Sequence, residues 1–258
     1  MHNRESGGKG NTMTKVFAHR GASGYVPENT LPAFALAEEQ GADGVELDVQ
    51  LTRDGQVVVI HDEKIDRTSD GEGFVRDYTL EELKAFSFHA QMEEYRGVKI
   101  PTLEEVLKTL KPGKMQVNIE LKTGIFWYPE IEKKTIDIVR RTGMEKRVIY
   151  SSFNHYSIQE ILKLNPLAET AYLFSDVILH MEDYGKKTGV QGLHPAVYHL
   201  YMPELLEDYK KSGLKIRVWT VNRKEDMKKF IENDLEAVIT NYPDLALEVR
   251  KQVEDVRR

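Results

Sequence analysis

The sequence predicts an α/β fold, a TIM-type (β/α)8 barrel carrying a small insertion after its second strand. From Lys15 onward, short β-branched runs alternate with longer amphipathic runs, the pattern of repeated βα units around a parallel sheet. Eight principal strands emerge once the run beginning at Val57 is taken as a companion of the strand before it, joined to it by the Asp54-Gly55 turn. No Gly-x-Gly-x-x-Gly follows the first strand, so a closed barrel is favoured over an open dinucleotide-binding sheet. The length of 258 residues agrees with the ~250 residues at which such a barrel folds as one domain.

The expected strands, in order, are VFAH from Val16, VELDVQ from Val45, VVVIH from Val57, QVNIEL from Gln116 and RVIYSS from Arg147. TAYLF from Thr170, VQGLH from Val190, IRVWTV from Ile216 and AVITN from Ala237 complete the set. A helix is expected over Thr30–Gln40 from its three- and four-residue apolar spacing. Thr79 with Glu82, and Thr102 with Glu105, have the spacing of capping boxes and mark two further helix starts. The stretch 62–100 breaks the rhythm. It holds Gly71, Gly73, a short helix near Leu80–Phe86 and the polar-aromatic run HAQMEEYRG, too much for an ordinary loop. The expected organisation is a leader over 1–14, a barrel domain over 15–248 with its insertion at about 62–100, and a charged end over 249–258.

Composition narrows the function. The net charge is −6 with no long basic run, which argues against a nucleic-acid surface. The absence of cysteine excludes disulfides, thiolate metal sites and cysteine nucleophiles. No apolar run approaches the ~18 residues needed to span a bilayer, so no stable membrane insertion is expected. MHNRESGGKGNT lacks the apolar stretch of a secretory signal. Met13 reads as a natural start, a cytoplasmic location follows as the default, and oligomeric state is left unassigned.

Strand alternation points to the chemistry, because residues i and i+2 share a face. Val45, Leu47 and Val49 oppose Glu46, Asp48 and Gln50; Val117, Ile119 and Leu121 oppose Asn118, Glu120 and Lys122. With the apolar sets under the helices, Glu46, Asp48 and Glu120 face into the barrel. Burying one carboxylate costs several kcal/mol unless it is compensated, and mutual repulsion raises the cost for three. A divalent cation resolves this, and oxygen-only ligands favour Mg2+ or Ca2+ over zinc; Mn2+ meets the same ligand chemistry. The competing reading is charge pairing with Arg20, Lys122 or Arg217. His19 and His61 each end a strand and supply a proton acceptor and donor that titrate near neutrality. Arg20 can fork two donors onto an anionic oxygen and Lys122 adds a second positive charge, so a phosphate-bearing substrate is expected. Trp219 and Phe153 can form an apolar wall beside it. His194, in the LHP run, is a further candidate for the barrel mouth, whereas His2, His89, His155, His180 and His199 have no comparable company.

These residues also carry a resemblance. HRGASGYVPENTLPAF, GADGVELDVQLTRDGQVVVIHD, DRTSDGEG, IPTLEEVL, NIELK, YSSF, VWTVN and ITNYPD occur in this order from about Val16 to about Asp244, and together they resemble the glycerophosphodiester phosphodiesterase family. The resemblance implies a barrel with an insertion after the second strand, His19 and His61 as the acid–base pair, Glu46, Asp48 and Glu120 as metal ligands, Arg20 on the phosphate with Lys122 near it, and Glu28 and Asn29 supporting the first-strand loop. The implied reaction splits a small-molecule glycerophosphodiester, such as glycerophosphocholine or glycerophosphoethanolamine, into glycerol 3-phosphate and an alcohol, with either histidine as the base and either water or the glycerol 2-hydroxyl as nucleophile. Rival readings are a lysophospholipase D-like or phospholipase C-like phosphodiesterase on the same barrel, disfavoured because no exposed apolar stripe stands out in the sequence, and a non-catalytic phosphate-ligand binding barrel. A zinc amidohydrolase is disfavoured by the missing His-x-His, since Arg20 and Gly21 follow His19.

Overall fold

A computed structural model describes residues 13–257, so most of the expected leader, and the expected start of the natural chain as a question of what precedes Met13, lie outside the described residues. Eight parallel strands close into a barrel: β1 (Lys15–His19), β2 (Gly44–Leu51), β4 (Gln116–Leu121), β5 (Val148–Ser152), β6 (Glu169–Phe174), β7 (Gly192–Pro195), β8 (Lys215–Val218) and β9 (Ala237–Thr240). β1 pairs with both β2 and β9, which closes the ring. β3 (Val57–Val59) runs antiparallel on the far half of β2, the companion position expected for it.

Helices cover the outside: α1 (Leu31–Glu39), α3 (Leu103–Leu110), α4 (Ile131–Thr142), α5 (His155–Leu164), α6 (Met181–Thr188), α7 (Pro203–Lys211), α8 (Lys224–Glu232) and α9 (Pro243–Arg257). The Thr30 hydroxyl caps α1. Both expected capping boxes form, Thr79–Glu82 at α2 (Leu80–Ala85) and Thr102–Glu105 at α3, each satisfying two backbone donors that a helix start would otherwise leave unpaired. Val45, Leu47, Val49, Val117, Ile119 and Leu121 all join the main core beneath the helices, which leaves the alternate residues of β2 and β4 to point inward.

The insertion has a small core of its own, built from Val58, Ile60, Ile65, Val75, Leu83, Phe88 and Ile100. The other end of the chain is a long helix. α9 continues to Arg257 and buries Val249 and Val253, and Arg250 reaches the Thr14 carbonyl at 3.1 Å and Asp43 at 2.5 Å. Lys251, Asp255 and Arg257 lie on the exposed side of this helix, and its two valines, four apart, face the core. Among the described residues no helix is long and apolar enough to cross a membrane.

The floor of the barrel is closed by a charge. Arg217 is fully buried on the inward face of β8, paired with Glu169 at the start of β6, with Glu236 3.8 Å away. Gly192 makes room for it, since a Cβ there would meet the guanidinium at 3.0 Å. Burial alone would raise the Glu169 carboxyl, but Arg217 and Lys215 outweigh it and hold it below its usual range. Glu169→Gln should therefore cost about 3 kcal/mol in urea unfolding at neutral pH, the scale of a broken buried pair. Because the folded carboxyl is the more acidic one, that stabilisation is full above the unfolded carboxylate range and fades as pH falls through the lower folded value. Equal stability of variant and wild type at pH 7 would show that Glu236 alone neutralises Arg217.

Candidate active site

Strand register brings the inward polar residues together at the carboxyl ends of the strands. His19 lies beside Glu46 across the β1–β2 ladder, Glu46 beside Asn118 and Asp48 beside Glu120 across β2–β4. Arg20 and Lys122 follow directly on their strands. Arg20 takes a left-handed conformation, φ 57°, and Gly21 follows at φ 80°. A side chain at Gly21 would strike Ala33 of α1 at 2.6 Å, so glycine allows this turn to press onto the helix and aim Arg20 across the mouth.

Glu46, Asp48 and Glu120 are all buried and offer carboxylate oxygens within 4.8 Å of one another. Glu46 accepts the Arg20 backbone N–H at 3.1 Å. Asp48 Oδ2 accepts from Asn29 Nδ2 at 2.9 Å and lies 3.5 Å from Arg20 Nε. Lys122 Nζ is 3.0 Å from Glu120. Arg20 and Lys122 thus engage the cluster, while Arg217 lies on the barrel floor and does not. The two cations do not satisfy it fully. Asp48 Oδ1 is buried without a protein partner, and burial, then the charges of Asp48 and Glu120, push the Glu46 carboxyl well above its usual range. An unpaired buried acceptor beside mutually repelling carboxylates fits a bound cation, and an all-oxygen donor set suits a hard one.

Two histidines flank the triad, each oriented by a different partner. His19 Nδ1 is 2.7 Å from Asn241 Oδ1, and its Nε2 faces Glu46 at 3.9 Å. Burial, then the Arg20 charge, lowers His19 to about 4, so the ring is neutral at neutral pH. Because Asn241 Oδ1 can only accept, Nδ1 carries the proton and Nε2 keeps its lone pair toward the site. His61 Nδ1 instead meets the Asp62 carboxylate at 2.5 Å, and its Nε2 lies 3.2 Å from Lys122 Nζ. Asp62 accepts from Arg67 at 2.7 Å; Arg67 forks onto Glu28 at 2.8 Å; Glu28 accepts from Arg20 at 2.9 Å. One charged chain therefore runs from His61 through the insertion back to Arg20.

His19, Arg20, Glu46, His61 and Glu120 line a single cavity of about 210 Å3, with Phe153, Leu173, Trp219 and Ile239 forming its apolar side. Phe153 and Trp219 meet edge to face with centroids 5.5 Å apart, and Trp219 Nε1 donates to the His194 carbonyl at 2.7 Å. The His194 side chain is not at the mouth. It is fully buried deeper in the barrel, 3.3 Å from Arg217, because strand alternation fixes which way a residue points and not its depth along the axis. His155 stacks on Tyr172, and His199 bonds the Ser175 carbonyl; both are packed away from the triad.

The model of the glycerophosphoryl diester phosphodiesterase family matches residues 19–245. The chain belongs to this family of phosphoric diester hydrolases. A glycerophosphodiester phosphodiesterase of Caldanaerobacter subterraneus is 46% identical over 240 residues, covering 92% of this chain and 98% of the relative. One of Bacillus altitudinis is 42% identical over 244 residues, covering 93% and 100%. Among solved structures, an Oleispira antarctica phosphodiesterase in complex with the product sn-glycerol-3-phosphate superposes with a TM-score of 0.83 at 30% identity, covering 93% of this chain and 97% of that one. The Thermotoga maritima glycerophosphodiester phosphodiesterase gives 0.77 at 32% identity, covering 92% and 99%.

For this member of the glycerophosphoryl diester phosphodiesterase family, the structure adds residues to which the sequence assigned no role. Asn118 is fully buried, lines the cavity between Glu46 and Glu120, and has no protein partner for either side-chain polar atom. Its inward position was legible from strand alternation, but its unmet hydrogen bonds were not. Asp62, Arg67 and Asn241 orient the histidines from positions with no periodic signal.

Proposed function

We propose that the chain hydrolyses glycerophosphodiesters, such as glycerophosphocholine or glycerophosphoethanolamine, to glycerol 3-phosphate and an alcohol, with Mg2+ or Ca2+ (or Mn2+) held by Glu46, Asp48 and Glu120. The carrying observation is that two histidines with opposite kinds of partner, two carboxylates and Arg20 line one cavity, with Asp48 and Lys122 directly beside those carboxylates. When bound, the divalent cation supplies Lewis-acid stabilisation of charge on the non-bridging phosphate oxygens.

His19 is the base: its neutral ring directs an unprotonated Nε2 into the cavity and takes the proton of the attacking hydroxyl, whose oxygen then bonds to phosphorus. His61 is the acid: the Asp62 carboxylate holds its ring through Nδ1, and Nε2, once Lys122 turns from it onto the substrate phosphate, hands its proton to the alcohol oxygen as the P–O bond breaks. Arg20 forks onto a phosphate oxygen with Glu28 and Asp48 fixing its plane, and Lys122 adds charge from the other side. Phe153 and Trp219 hold the carbon portion of the substrate.

A coupled assay for glycerol 3-phosphate release, over a panel of glycerophosphodiesters with Mg2+, Ca2+ and Mn2+ compared, tests the reading. Release from at least one glycerophosphodiester is expected. Binding of the panel without product under every metal would instead identify a non-catalytic phosphate-ligand barrel.

A further inference from the structure

We propose that the mouth of this barrel docks on a zwitterionic lipid surface through an apolar arc formed by the loops that follow β4, β6 and β7. Of the sixteen exposed large apolar side chains among the described residues, eleven lie in loops after strands or in the first turn of the next helix, the end of the barrel that carries the cavity. A random scatter over the surface would not favour one end in this way.

The arc is strongest at Ile125 and Trp127 after β4, Val177, Ile178 and Leu179 after β6, and Tyr198 after β7. Ile125 is 71% exposed, Trp127 67% and Leu179 84%. In the segments TGIFWYP (123–129), SDVIL (175–179) and PAVYHLYM (195–202) the one charged side chain is Asp176, in a chain of which 30% is charged. The arc is continuous with the site. Phe153 touches Trp219 in the cavity wall, the Trp219 carbonyl accepts from Val197 N–H at 2.6 Å, and Tyr198 and His199 both bond the Ser175 carbonyl at the base of the Val177–Leu179 tip.

The chemistry selects the occupant. Aliphatic loop tips mixed with Trp and Tyr are what an interfacial region favours, since the aromatic ring is apolar and its polar edge stays wet. The three loop segments carry no lysine or arginine of their own, and the net charge of the chain is −6, so an anionic surface would repel the chain as a whole. A second copy of the chain seated on the arc would cover the cavity entrance, whereas a fluid lipid surface leaves it open to headgroup diesters at the interface. The insertion, with its own core and a charged exterior, occupies the β2 side of the mouth and meets the arc at its β4 end, where Phe74 and Arg76 pack on Phe126, so contact extends from there toward the loops after β6 and β7.

Sedimentation with phosphatidylcholine vesicles tests this without turnover, so its outcome is separable from that of the hydrolysis assay. Wild-type protein should co-sediment at millimolar lipid. The Ile125→Ser/Leu179→Ser double variant should bind at least tenfold more weakly, on the scale of two apolar side chains withdrawn from burial, while its release of glycerol 3-phosphate from soluble glycerophosphocholine stays unchanged. Both positions are exposed, and an unaltered thermal midpoint confirms that the variant folds. Absence of wild-type binding, equal binding of the double variant, or binding only to phosphatidylglycerol vesicles overturns the proposal. So does a dimer, seen by sedimentation velocity, that the double variant abolishes.

Discussion

His61→Ala should turn over glycerophosphocholine ~10²–10⁴-fold more slowly than wild type, the usual worth of a positioned acid or base, and His19→Ala should fall in the same range. The loss should appear in kcat far more than in KM, because Arg20, Lys122 and the triad remain to bind phosphate. The two histidines should then part company through their partners. Asp62→Asn replaces the carboxylate that holds the His61 ring with an amide, so it should lower kcat substantially. Asn241→Ala removes the acceptor that fixes the His19 tautomer, and a smaller loss is expected because the ring remains neutral through burial. Steady-state kinetics with circular dichroism as a folding control measure all four. Full activity in both alanine variants would remove the histidines from the reaction.

Thorough chelation should abolish turnover, with recovery on adding back Mg2+, Ca2+ or Mn2+. A stability measurement gives the same result an independent sign. Glu46 is repelled by Asp48 and Glu120 in a buried setting, so Glu46→Gln should raise the thermal midpoint of the chelated protein by relieving like-charge repulsion. In excess cation the order should invert. Wild type gains binding free energy, about 2.7 kcal/mol at a hundred times the dissociation constant, and the variant gains little. Calorimetric titration with the metal alone should show the same loss of affinity. Asn118→Leu gives a contrast: it removes no charge, so the metal-free protein should be stabilised only as far as an unpaired carboxamide costs, about 1–3 kcal/mol. Turnover that survives chelation, or a Glu46→Gln protein less stable than wild type when both are chelated, would count against the cation site.

Much of this architecture was readable from the amino acids alone because it rests on short periods. The alternation in β2 and β4 placed Glu46, Asp48 and Glu120 inside, and the two capping boxes marked where α2 and α3 begin. What escaped the sequence has no period. Asn241 meets His19 across a separation of 222 residues, and Arg67 bridges Glu28 and Asp62 from the insertion; nothing local marks either contact. Val249 and Val253 were masked by the charges around them. The apolar loop residues were missed for the opposite reason. Ile125, Trp127 and the Val177–Leu179 tip come as brief clusters between elements, and only the barrel topology gathers them at one end.

The Arg67 bridge has a practical corollary for chimeras. Its guanidinium is carried by the insertion, yet its two carboxylate partners set the attitude of His61 on one side and of Arg20 on the other. A graft that exchanged this segment for that of another barrel, in the hope of new selectivity, would loosen His61 and Arg20 together. Transplants should succeed only where the donor delivers a forked cation to the same two acceptors.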